Sequence, residues 1–147
     1  MKRIISVAAL FITLQLNAVV VYNGVNFKYT PFVQYACAEL GITDVDIYLS
    51  TTTKKVQAHV NKTGFGAYII YINVNECEDY YEVLAHELTH ISQDIQGRWN
   101  LDNPTVIVSK WGNSYVSDLA REIENEAKAS GRKIARSYFK NRKYARK

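Results

Sequence analysis

The sequence predicts an α+β fold in which a small, mostly antiparallel sheet packs with two long helices. Three observations predict it. Two segments, 78–97 and 117–141, carry apolar residues at helical spacing. Three short segments between 45 and 74 carry them at strand spacing or as a short apolar run. The turn "NKTGFG" joins two of these segments, and the three pieces read as a small, mostly antiparallel sheet.

The elements follow in order. "TPFVQYACAELGI" reads as a helix: Thr30 can cap it, Pro31 suits its first turn and Gly41 can end it. "DVDIYLS" sets Val45, Ile47 and Leu49 against Asp46 and Tyr48, a strand with one buried face. "KVQAHV" alternates in the same way, with Val56, Ala58 and Val60 on one side. "NKTGFG" is a turn, and "AYIIYINV" is a strand apolar on both faces. "EDYYEVLAHELTHISQDIQG" is the strongest helix. Asp79 can cap it, with Glu82 three residues on as a capping box requires. Leu84, Leu88, Ile91 and Ile95 form its apolar stripe, and Gly97 ends it. The last helix covers "SDLAREIENEAKASGRKIARSYFKN", with a possible break at Gly131.

A chain of 147 residues suits one domain with its own core. With 48% hydrophobic and 22% charged residues, composition excludes a disordered chain. Residues 1–18 start with Lys2 and Arg3, continue with an apolar run to Leu16 and reach Ala18, the layout of a signal peptide. Ser6, Thr13, Gln15 and Asn17 interrupt that run, so it makes a poor membrane span, although an uncleaved anchor is the lesser variant. The expected division is a leader or anchor at 1–18 and one domain at 19–147, secreted or periplasmic, with a membrane-anchored or cytoplasmic protein as the alternative. Cys37 and Cys77 form one disulfide if the chain is exported and stay free thiols if it is not. The net charge of +4 becomes +2 without Lys2 and Arg3. The excess lies after Gly131, where eight Lys and Arg residues occur with no acid. That is first a solvated helix end, and secondarily a contact for an anionic envelope or nucleic acid.

His86 and His90 stand one helical turn apart and share a face, so both imidazoles can bind one metal ion. Glu87 follows the first of them directly. Its carboxylate can lie beside the metal and take a proton from a zinc-bound water. The spacing is His-Glu-x-x-His, and two of the chain's three histidines fall in it. A catalytic zinc needs a third protein ligand. Gln93 and Gln96 stand where one branch of such enzymes has Gly and a third His, and His59 lies on a strand facing away from the apolar side. The ligand is therefore sought in "REIENEAKAS", where Glu122 and Glu126 share a helix face and Glu124 is expected to point elsewhere.

With these residues the chain resembles a small zincin of the gluzincin type. "HELTHISQ" is similar to the active-site helix of thermolysin-like enzymes and of compact bacterial and phage zincins, and "NEA" is similar to their third-ligand segment. The resemblance covers residues 68 to 130. It implies a zinc-dependent metallopeptidase with Zn²⁺ on His86, His90 and Glu126, Glu87 as general base, and a peptide or protein substrate. Glu122 stays open as the alternative ligand. The resemblance also implies that "AYIIYINV" pairs with an extended substrate, and Tyr115 is the candidate donor to the oxyanion. One departure stands out: thermolysin-like enzymes place an Asp four residues after the ligand Glu, where this chain has Ser130, so Asp118 or Glu122 would have to support the first histidine. The rivals are an amide hydrolase of cell-wall peptide, an intracellular regulatory or nucleic-acid-associated zincin-like protein, and a zinc-binding pseudoenzyme.

Overall fold

The computed structural model describes residues 20–23, 27–64, 66–77, 79–102 and 118–145. The expected leader at 1–18 and Tyr115 lie outside them. Among the described residues no helix is long and apolar enough to cross a membrane.

Strand β1 (Val20–Asn23) and a short 3-10 turn (Phe27–Tyr29) lead into α1 (Thr30–Glu39). Strands β2 (Asp46–Thr51), β3 (Ala58–Gly64) and β4 (Ala67–Ile72) follow, then helices α2 (Tyr80–Ile95) and α3 (Asp118–Ala145). The α+β class stands. The sheet, in the order β1-β2-β4-β3, is mixed rather than mostly antiparallel. β1 and β4 both run parallel to β2, and only β3 and β4 are antiparallel. The physical reason is that α1 carries the chain back across the sheet between β1 and β2, as parallel neighbours require. Period-two alternation reports which face is buried, not strand direction.

A second correction concerns β4. Expected to pair with substrate, it is instead flanked on both sides by β2 and β3. Among the described residues β3 is the edge strand on that side of the sheet.

The core lies on one face of the sheet. Ile47, Leu49, Tyr68, Ile70 and Ile72 meet Phe32, Val33 and Ala36 of α1 and Leu84, Leu88 and Ile91 of α2. Ile95, the last member of the expected α2 stripe, is 47% exposed. Cys37 and Cys77 are both buried free thiols, and burial pushes the Cys37 thiol up to about 12. Thr30 is the first residue of α1 rather than its cap, and Tyr29 holds the cap position.

Asp79 caps α2, its carboxylate accepting from the Tyr81 and Glu82 N–H groups at 3.0 and 3.1 Å. Glu82 does not reach back to close a capping box; its carboxylate instead pairs with Arg132 of α3 at 2.9 Å. Gly97 ends the helix with φ of 70°. α3 runs unbroken through Gly131. A Cβ at that position would stand 2.7 Å from the Glu82 carbonyl oxygen and 3.2 Å from the His86 nitrogen. The glycine therefore lets α3 cross α2 in backbone contact, beside the first histidine of the motif.

Candidate metal centre

α2 turns Leu84, Leu88 and Ile91 into the core, which leaves His86, Glu87 and His90 on the flank nearest α3 and β3. α3 packs through Ala120, Ile123, Ala127, Ile134 and Tyr138. Glu124 flanks that stripe on the side of the histidines.

Three donors converge. His86 Nε2 lies 3.2 Å from His90 Nε2. The Glu124 carboxylate reaches His86 Nε2 at 3.5 Å and His90 Nε2 at 3.2 Å. The group can hold one metal ion, since its ligand atoms all lie within 4.8 Å of one another. Two imidazoles and a carboxylate are also a donor set that divalent transition ions accept.

The third partner is Glu124, not Glu126 or Glu122. Glu122 is exposed. Glu126 lies on the opposite flank of the stripe, where Arg98 grips it with two hydrogen bonds of 2.9 and 2.6 Å. It also accepts from the Gln93 amide at 3.2 Å. Gln93 gives its NH₂ to Glu126 and to the Ile123 carbonyl, so its Oε1 faces His90 Nδ1 at 2.9 Å. Trp99 stacks on the His90 ring, with centroids 6.2 Å apart. His90 is thus held on its far side, and its Nε2 is directed at His86 and Glu124.

The charges are consistent with one shared proton. Burial and the neighbouring His90 take His86 down to about 4. Burial also opposes charge on His90, but hydrogen bonding to Glu124 and the charges of Glu87 and Glu124 raise it above its ordinary value. Burial opposes ionisation of Glu124 as well, yet the His90 hydrogen bond, both imidazoles and Lys128 bring it down to about 2. These directions favour a proton on His90, beside an imidazole held toward neutral at His86 and a carboxylate held toward its ionised form at Glu124. A cation placed between them would displace it.

Glu87 is 6% exposed and lines the same pocket as His86 and Glu124. Burial drives its carboxyl up to about 7, against His90 and a hydrogen bond from the Val60 backbone, both of which lower it, and with Glu124, which raises it. A carboxyl in that range can both take and give a proton near neutrality. The pocket has a volume of about 400 Å³ and is bounded by α2, α3 and the start of β3, where Gln57 and Ala58 line it. His59, next along the strand, stacks on Tyr71 at 4.9 Å and is not part of the donor group.

No family model, no curated protein and no solved structure matches the chain.

Proposed function

We propose that the chain is a zinc-dependent hydrolase of peptide bonds, with Zn²⁺ held by His86, His90 and Glu124. The observation that supports it is the spacing of the three donors. Ligands about 2.0–2.1 Å from a tetrahedral zinc stand roughly 3.3 Å apart. The two imidazole Nε2 atoms stand 3.2 Å apart, and the Glu124 carboxylate reaches His86 through Oε1 at 3.5 Å and His90 through Oε2 at 3.2 Å; with one oxygen counted, all three ligand atoms lie within 4.8 Å of one another. Three protein ligands leave a coordination position open, the pattern of catalytic rather than structural zinc.

When bound, zinc supplies a Lewis acid for the scissile carbonyl and lowers the pKa of water to near neutrality. Glu87 takes the proton from the attacking water and delivers it to the leaving amine nitrogen. His90, clamped by Gln93 and Trp99, and His86 keep their Nε2 lone pairs on the metal side. The pocket admits a side chain next to the bond that is cut. β3 supplies the sheet edge along which an extended peptide can pair. The exposed Lys133, Arg136, Lys140 and Lys143 on the last turns of α3 suit contact with an anionic envelope.

Elemental analysis of the purified chain tests the metal. About one zinc per chain, lost in both His90→Ala and Glu124→Ala, is the expected result. A folded chain that takes up no zinc would sink the reading. A quenched fluorescent peptide library then tests the chemistry. Glu87→Gln is expected to keep its zinc and lose cleavage, whereas a zinc-loaded wild-type chain that cleaves nothing is a binding protein.

A further inference from the structure

Beside the donor group, the pocket wall carries a second set of charges. Lys128 and Arg132 lie one turn apart on α3 and both line the pocket. Among the described residues only Ala58 and Val83 give it apolar lining, so a large hydrophobic side chain finds little there to bury against. Among the described residues each cation has one acidic partner. Lys128 Nζ stands 3.5 Å from Glu124, and Arg132 Nε stands 2.9 Å from Glu82. The partnerships differ in a way that matters once a metal is present. Glu124 is the proposed ligand, so a divalent ion takes over its charge and Lys128 loses its counter-ion. Arg132 engages Glu82 through Nε, and no described group pairs with its two Nη atoms, which form the planar fork that suits a carboxylate.

Lys128 and Arg132 share the pocket wall with Glu82, Glu87 and Glu124. A divalent ion on Glu124 makes the pocket more positive, even where it displaces a proton from His90. We propose that the pocket is an anion-selecting subsite that takes a substrate carboxylate next to the cleaved bond, through Lys128 and Arg132. The inference rests on the hydrolase reading and adds its substrate class. The carboxylate belongs either to an acidic side chain or to the C-terminus of the peptide. An amine-bearing residue in the same place meets Lys128 and Arg132 as like charges.

Binding of metal-directed probes separates this proposal from the question of turnover. Malonyl monohydroxamates joined to alanine amide, glutamate amide, lysine amide and alanine with a free carboxylate share one hydroxamate head. They are titrated calorimetrically into the zinc-loaded full chain. At least one carboxylate probe is expected to bind about tenfold or more tighter than alanine amide, with lysine amide weakest. The order of the two carboxylate probes identifies the source of the anion. Arg132→Glu, at a 60% exposed side chain, is expected to abolish the carboxylate preference, and Lys128→Gln to reduce it. Equal binding of all four probes, or a preference that survives both substitutions, overturns the anionic subsite and leaves the metal reading intact. A chain that takes up no zinc overturns both.

Discussion

The two flanks of the α2–α3 crossing carry the same residue type to opposite ends. On the arginine flank Glu126 meets Arg98 through two short hydrogen bonds and is neutralised by the protein itself. On the histidine flank Glu124 meets two imidazoles, with one lysine at 3.5 Å. A carboxylate already satisfied by a guanidinium has little to offer a metal ion, whereas one facing two imidazole nitrogens completes a group that could hold one. The arginine flank still contributes. The chain of contacts from Arg98 through Glu126 and Gln93 to His90 orients one imidazole of the histidine flank. One side of the crossing supplies donors, and the other holds a donor still.

The sharpest way to break this comparison is to remove each glutamate in turn and measure zinc affinity by competition with a chromophoric chelator. Glu124→Ala is expected to lose tight binding altogether. Glu126→Ala is expected to weaken it by about ten- to a hundredfold, the usual cost of losing a group that orients a ligand. Equal losses would make Glu126 a ligand and erase the distinction between the flanks. Gln93→Ala tests the relay. Its loss should be of the same order as that of Glu126→Ala, and the double variant should lose less than the two losses combined, because both act through His90. Full additivity would separate the two residues.

A smaller effect is expected at the crossing itself. Gly131→Ala gains up to about 1 kcal/mol in helix propensity. It also places a methyl group against the Glu82 carbonyl, an overpacking that costs about 1–3 kcal/mol. Net destabilisation in a denaturant titration, with weaker zinc binding, is expected. A more stable variant with unchanged zinc affinity would show that the helices do not need this contact.

The smallest effect concerns Asp94, which ties the end of α2 to the sheet one turn beyond His90. It accepts from the Tyr68 hydroxyl at 2.8 Å and the Leu101 N–H at 3.0 Å, and pairs with Lys62 at 3.1 Å. Burial tends to raise its pKa, but the hydrogen bonds from Leu101, Tyr68 and Lys62 outweigh burial and hold it below the ordinary value. A depressed carboxyl pKa contributes stability that is full above the unfolded value, near 3.9. That contribution is lost as pH falls through the folded value. Thermal midpoints of wild type and Asp94→Asn should therefore differ at neutral pH and converge below about pH 4. A constant gap down to low pH would assign the role of Asp94 to packing.

The sequence foretold α1, β2, β4, α2 and α3 because each carries its own period; β3 lies later than read, at Ala58–Gly64, and takes in Asn61–Gly64 of the segment read as a turn. Asp79 and Gly97 do at α2 what capping chemistry predicts. Strand direction was not legible, since β1 is short and alternation is blind to direction. In the sequence Gly131 reads as a break, because an isolated helix has no other use for it; the packing against Glu82 and His86 supplies one. The histidine pair and Glu87 were legible, because one turn of one helix sets their relation. The third partner was not found. The resemblance of "NEA" favoured Glu126, and the shared face of Glu122 and Glu126 reinforced it. A better signal was present in Ala120, Ile123, Ala127, Gly131, Ile134 and Tyr138, which trace the packed stripe of α3. Glu124 lies one turn after Ala120 on the edge of that stripe, whereas Glu122 lies nearly opposite. Which edge faces the histidines depends on how two helices cross, and no local pattern contains that.

The bare contact at Gly131 acts as a fulcrum. Glu124 lies seven residues along α3 from it, so the lever arm is about 10 Å. A tilt of about 5° about that point moves the Glu124 backbone by about 1 Å, several times the ~0.2 Å spread that metal–ligand distances tolerate. The donor geometry is therefore an amplified reading of one helix crossing angle. Anything that leans on the far, basic arm of α3 would be felt at its carboxylate end.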